Sequence, residues 1–197
     1  MFDQVAAANH DPSGVVLGID PGLSRCGYGA VRRDGANMVA VACGVIRTPP
    51  DAPLPDRLAA LSRELDRLVE ELRPQAMAVE RVLFQVNVRT AMSVGQASGL
   101  ALALAGRERI PVVQYSPNEV KLAVAGDGGA AKEEVQAMVQ RLLRLRDLPK
   151  PADAADALAL ALCHLWRAPL NAAVPDAPGE SRLDAAIAAA SAKAARG

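Results

Sequence analysis

The chain has 197 residues, of which 51% are apolar and 22% charged, and its formal net charge is zero. That length suits one domain with a sizeable core plus some tail, and the charge balance excludes a protein that grips polyanions over its whole surface. Any nucleic-acid contact has to be concentrated on one face, and lysine is scarce enough (Lys121, Lys132, Lys150 and Lys193) for each position to matter.

Residues 1–14 read as a loose lead-in, without the basic and apolar regions of a secretory signal. The longest apolar stretches, around 97–105 and 157–163, are too short to span a bilayer. Cys26, Cys43 and Cys163 are odd in number and form no CxxC pair, so they read as small apolar residues in a reducing compartment. A cytoplasmic protein is expected.

Residues 15–20, 27–33 and 38–46 are rich in Val, Ile and Ala and read as three strands, joined by turns at Pro21-Gly22 and Asp34-Gly35. They are close enough in sequence to form an antiparallel meander. After a proline-rich loop, Leu54, Leu58, Leu61, Leu65, Leu68 and Leu72 form one stripe on a helix over about 55–72. A short strand, 76–80, precedes a helix over about 88–108, where Gly95 and Gly99 permit either close approach of another element or plain internal packing. Ile110 to Tyr115 reads as a strand, Ser116-Pro117 starts a short helix, and 126–129 is a flexible loop. Helices follow over about 132–146 and 152–167, and the Ala- and Pro-rich residues from 169 read as a tail. Three adjacent strands followed by alternating helix and strand predict an α/β fold, a mixed sheet with helices on both faces.

Four carboxylates stand out. Asp20 ends the most apolar strand, in VVLGIDPG, and Glu80 ends AMAVE with the same apolar-to-acid step. Asp153 and Asp156 lie three apart on one face of the first turn of the last helix. Each has a plain reading: Asp20 as turn chemistry, Glu80 as a strand-end charge, Asp153 as an N-cap with Asp156 imitating a capping box. Taken together, three elements end or begin in acids beside apolar stretches. Converging carboxylates raise one another's pKa unless a cation neutralises them. An oxygen-only set suits Mg²⁺ or Mn²⁺, and two such ions support phosphoryl transfer. His164, eleven residues beyond Asp153 and about 16 Å along the helix, is a poor ligand candidate and reads as a packed or exposed helix residue.

The motifs LGIDPGLSRCGYG, then AVER with Asn87 beyond it, then EVK followed after ten residues by Lys132, then ADAADALALA, resemble the RuvC family of Holliday-junction resolvases. The likeness runs in order over about 15–167. It implies a ribonuclease H-like fold with a mixed five-stranded sheet flanked by helices, the nuclease domain covering about 15–168. By the same resemblance Asp20, Glu80, Asp153 and Asp156 match the metal-binding catalytic acids. Lys121 and Lys132 match lysines used in DNA contact and catalysis. In the family the loop after the glutamate usually carries an aromatic that acts at the opened junction; here Leu83 stands at the apparent position with Phe84 beside it, and either side chain could serve. Arg81 and Arg89 are candidate phosphate contacts. The resemblance further implies two Mg²⁺ ions, with Mn²⁺ a substitute, products with 5′-phosphate ends, a homodimer on four-way junction DNA with the Gly95/Gly99 helix as candidate surface, and partnership with the RuvA–RuvB branch-migration complex.

Three other readings compete. One is a nuclease of the same superfamily acting on RNA or simpler branches. Another is an ATP-binding protein of the actin or sugar-kinase type, but DPGLSRCGYG lacks the Gly-Thr/Ser phosphate contact. The loop GDGGAAKEE is also no P-loop, since Ala131 and Glu133 replace required residues. The third is a non-catalytic junction-binding module in which the acids are structural.

Overall fold

Nearly continuous apolar runs, VVLGI and AMAV, build the central strands, buried on both faces. The computed structural model describes residues 14–82 and 88–173. Five strands, β1 (Val15–Asp20), β2 (Arg25–Asp34), β3 (Asn37–Arg47), β4 (Ala76–Glu80) and β5 (Val112–Tyr115), form one sheet in the order β3-β2-β1-β4-β5. The first three make the expected antiparallel meander, while β4 and β5 run parallel to β1. The mixed five-stranded sheet agrees with the fold read from the sequence.

Successive residues of β1 serve opposite layers, as the period of two requires. Val15, Leu17 and Ile19 join Met77 and Val79 against the helices α1 (Leu54–Leu72) and α2 (Val88–Arg107). The leucine stripe does the covering: Leu61 and Leu65 are 0% and 1% exposed, each worth about 2 kcal/mol of burial. Val16, Ala78 and Tyr115 face the other layer, made by α3 (Pro117–Ala125), α4 (Lys132–Leu142) and α5 (Ala152–Ala173).

Several boundaries move for physical reasons. β5 starts at Val112, not Ile110, because Pro111 has no N–H for a ladder and the Ile110 N–H instead bonds the Ala105 carbonyl at 2.8 Å. α4 stops at Leu142 rather than continuing to 146, and Arg144 takes a left-handed φ of 51°. α5 runs to Ala173, past the expected 167. α3 opens as Ser116-Pro117 suggested, with a full capping box: the Glu119 N–H donates to Ser116 Oγ at 3.3 Å and the Ser116 N–H to Glu119 Oε2 at 2.8 Å. Gly95 and Gly99 do not pack internally. A Cβ on either would meet nothing within 4 Å among the described residues.

Among the described residues no helix is long and apolar enough to cross a membrane.

Candidate active site

Asp20 and Glu80 are the last residues of neighbouring parallel strands, one position beyond the pair Ile19 and Val79. Each is two residues beyond one that faces the α5 layer (Gly18 and Ala78), so the strand period aims both carboxylates at that side. The start of α5 is brought there by glycines. Gly27 pairs with Asp20 in the β1–β2 ladder, and a Cβ on Gly27 would overlap the Asp153 carbonyl oxygen. A Cβ on Gly18 would likewise overlap the Ala157 carbonyl, and one on Gly29 the backbone of Leu158. A helix can lie this close to a sheet only where the sheet has no side chains. The glycine-bearing strands therefore set Asp153 and Asp156 over Asp20.

The cap reading of Asp153 is corrected by the structure. α5 begins at Ala152, so Asp153 lies inside its first turn, with its carboxylate hydrogen-bonded to Arg25 rather than to the helix backbone. A carboxylate there is still favoured by the helix dipole.

The cluster is electrostatically tense. Burial raises the Asp20 pKa first, and Glu80, Asp156 and Asp153 add to the rise, against an opposing pull from Lys132; the result is about 7. Glu80 is also raised, by burial and then by Asp156. Burial raises Asp156 too, although Lys132 opposes this with Nζ 2.6 Å from Asp156 Oδ2. Burial alone would lower the Lys132 pKa, but the bond to Asp156 and the charges of Asp156, Asp20 and Asp153 lift it overall. Lys121 joins this group: it shares with Glu80, Lys132 and Asp156 a cavity of about 270 Å³, walled on its apolar side by Val120 and Leu160.

The donor set fits a hard divalent cation, being four carboxylates with no thiolate or imidazole. Asp20, Glu80, Asp153 and Asp156 could hold one. Among the described residues no group of three or more acids, histidines or cysteines is already arranged to hold a metal ion; Asp153 and Asp156 are each paired with one of the protein's own cations, Arg25 and Lys132.

The other candidates divide. His164 is buried, with Nδ1 3.0 Å from the Tyr115 hydroxyl, and burial lowers its pKa; it is a packed helix residue, not a ligand. The Arg81 guanidinium is exposed and donates to the Gln114 carbonyl at 3.0 Å, beside Glu80. Leu83 and Phe84 lie outside the described residues, as does the side chain of Arg89. Although Arg25 lies within LGIDPGLSRCGYG, nothing in the sequence pairs it with Asp153 or points to the brace beneath the turn that joins β1 to β2. There Thr48 Oγ1 donates to the Leu23 carbonyl at 2.6 Å, and Arg57 donates to Thr48 Oγ1 at 3.0 Å and to Ser24 Oγ at 2.6 Å. Those contacts join residues 9 to 128 positions apart, which no local pattern reveals.

The family model described as "Crossover junction endodeoxyribonuclease RuvC" matches residues 16–164. A crossover junction endodeoxyribonuclease RuvC of Frankia alni is 54% identical over 170 residues, covering 83% of this chain and 85% of its own. That of Salinispora arenicola is 57% identical over 153 residues, covering 77% and 87%. Among solved structures, Thermus thermophilus RuvC in complex with Holliday junction substrate superposes with a TM-score of 0.76 at 39% identity, covering 80% of this chain and 96% of that one. The yeast mitochondrial Holliday junction resolvase, at 18% identity and a TM-score of 0.58 over 82% and 83%, shares the fold. With the mixed sheet and its glycine-seated acidic helix, these likenesses show that the chain belongs to the RuvC family of crossover junction endodeoxyribonucleases.

Proposed function

We propose that Asp20, Glu80, Asp153 and Asp156 hold two divalent cations, Mg²⁺ in preference and Mn²⁺ as a substitute, and that this site cuts symmetric strands of four-way junction DNA. The observation that carries the reading is Asp20 itself. A half-buried carboxyl among three others, with its pKa raised to about 7, is costly as a structural device and becomes favourable once a cation is shared. Bound ions of this kind lower the pKa of a water and stabilise the leaving oxygen in phosphodiester hydrolysis.

The chain's own side chains do the rest. β1 and β4 supply rigid mounts for Asp20 and Glu80, so the ligands stay aligned. Lys132 lowers the Asp156 pKa against the rise from burial and, with Lys121 across the cavity, presents positive charge to the scissile phosphate. Arg81 and Arg89 extend the contact along the backbone. Leu83 or Phe84 serves as the apolar wedge at the opened junction. Cleavage leaves 5′-phosphate ends. A junction of near two-fold symmetry calls for two sites in one homodimer, and the open Gly95/Gly99 face of α2 offers a surface for it. Residues 15–168 form the nuclease, which works in the cytoplasm with the RuvA–RuvB branch-migration complex.

The test is cleavage of a synthetic mobile four-way junction, with duplex DNA and an RNA–DNA hybrid as comparisons. Mg²⁺-dependent, paired nicks on the junction alone are expected. Asp20→Asn should abolish cutting and keep junction binding. An Asp20→Asn protein that cuts at the wild-type rate, or equal cutting of hybrid and junction, overturns the reading.

A further inference from the structure

Arg25 is the first residue of β2, five positions after Asp20. Its Nε and Nη2 both donate to a single oxygen, Oδ2, of Asp153, with Nε 3.0 Å away. That oxygen is therefore held by a cation belonging to the protein. The Arg25 side chain is 45% exposed and that of Asp153 26%, so the guanidinium forms the outer, solvent-facing half of the pair. The turn that delivers it is braced from beneath by Thr48 and Arg57 through Leu23 and Ser24, so its place at the rim is built into the fold.

Resting on the reading of Asp153 as a metal ligand, we propose that Arg25 is an exchangeable latch between Asp153 and the DNA backbone. Without DNA it closes on Asp153 and weakens metal loading. When a junction docks, the guanidinium transfers to a backbone phosphate and Asp153 Oδ2 is released. The exchange suits arginine, whose planar fork matches carboxylate and phosphate alike, and it trades one anionic partner for another, so Arg25 stays paired throughout. By linkage, DNA then tightens metal binding, and metal tightens DNA binding by the same factor. Lys132 differs in its neighbours rather than its exposure: it and Asp156 line the cavity shared with Glu80 and Lys121, where it serves the site itself.

The experiment uses the full chain and two readouts that need no turnover. Mn²⁺ affinity is measured by electron paramagnetic resonance without DNA. Junction affinity is measured in EDTA over a salt series. Arg25→Gln is compared with wild type and with Arg63→Gln, which removes one charge from the exposed face of α1. Arg25→Gln should bind Mn²⁺ about fivefold more tightly than Arg63→Gln. Its junction affinity should drop about tenfold, with a salt slope shallower by about one. Arg25→Lys should keep the slope but recover only part of the affinity. Equal Mn²⁺ affinity in the two glutamine variants, weaker Mn²⁺ binding in Arg25→Gln, or unchanged junction affinity overturns the latch. The metal-site reading fails separately: there, wild type binds no Mn²⁺, or Asp20→Asn leaves Mn²⁺ binding intact.

Discussion

Ionised Asp20 destabilises the fold in the absence of a cation, and the size of that effect can be worked out. The carboxyl moves from its ordinary 3.8 in the unfolded chain to about 7 in the folded one. Each tenfold of that change is worth about 1.4 kcal/mol, so ionised Asp20 opposes folding by about 4 kcal/mol above pH 7. The sign follows from proton count. Between pH 4 and 7 the folded state keeps a proton that the unfolded chain has released, so stability falls as pH rises through this window and levels off above it. Asp20→Asn removes the charge with little change in shape. In EDTA at pH 8 its Tm should exceed that of wild type by about 10 °C, and the gap should close towards pH 4. Mg²⁺ should reverse the order of benefit, raising the wild-type Tm while leaving the variant nearly unmoved. Thermal unfolding followed by circular dichroism at several pH values measures all three. A variant no more stable than wild type at pH 8 without metal would show that Asp20 is not the strained carboxyl described above.

Further expectations concern the parts that seat and tune the cluster. Gly27→Ala forces a methyl into the Asp153 carbonyl and should cost about 1–3 kcal/mol in chemical denaturation, with cleavage lost more than junction binding because α5 is lifted from the strand. Lys132→Ala should lower single-turnover cleavage about 100-fold. Because Lys132 lowers the pKa values of Asp20, Glu80 and Asp156, the acidic limb of the variant's pH–rate profile should move to higher pH; an unmoved limb would contradict the coupling. Tyr115→Phe deprives His164 Nδ1 of the hydroxyl 3.0 Å away and should cost about 1 kcal/mol in urea unfolding without altering the metal dependence of cleavage.

Much of the architecture was legible because it is local. Continuous apolar runs that end in an acid mark β1 and β4, the leucine stripe marks α1, and Ser116-Pro117 marks the opening of α3. Each of these patterns is read within a few residues of itself, and the burial of Leu61, Leu65 and Ile19 agrees with it. Where boundaries moved, the cause was backbone detail that composition hides, such as the N–H missing from Pro111 and the left-handed turn at Arg144.

The acids were legible in a different way. Their residue types and their positions at the ends of apolar strands suggested shared charge, and the motif order supplied the resemblance. What one dimension does not encode is distance between far segments. Asp153 looked like a cap because its sequence neighbours are those of a helix start. Its hydrogen bond to Arg25 spans 128 positions. Gly18, Gly27 and Gly29 stand in the sequence only as letters of the LGIDPGLSRCGYG motif. Their function is to clear a seat for α5, visible only when the helix lies on the sheet.

The sequence by itself thus determined which side chains are candidates for the chemistry and which local elements hold them, since residue type and short-range periodicity are written directly in the chain. The tertiary structure decided the rest: that Asp20, Glu80, Asp153 and Asp156 share one field, that Lys132 and Arg25 are the cations closing on two of them, and that Asp20 is pushed to about 7. Charge coupling and desolvation depend on separation in space and on what excludes water, and both exist only once the chain has folded.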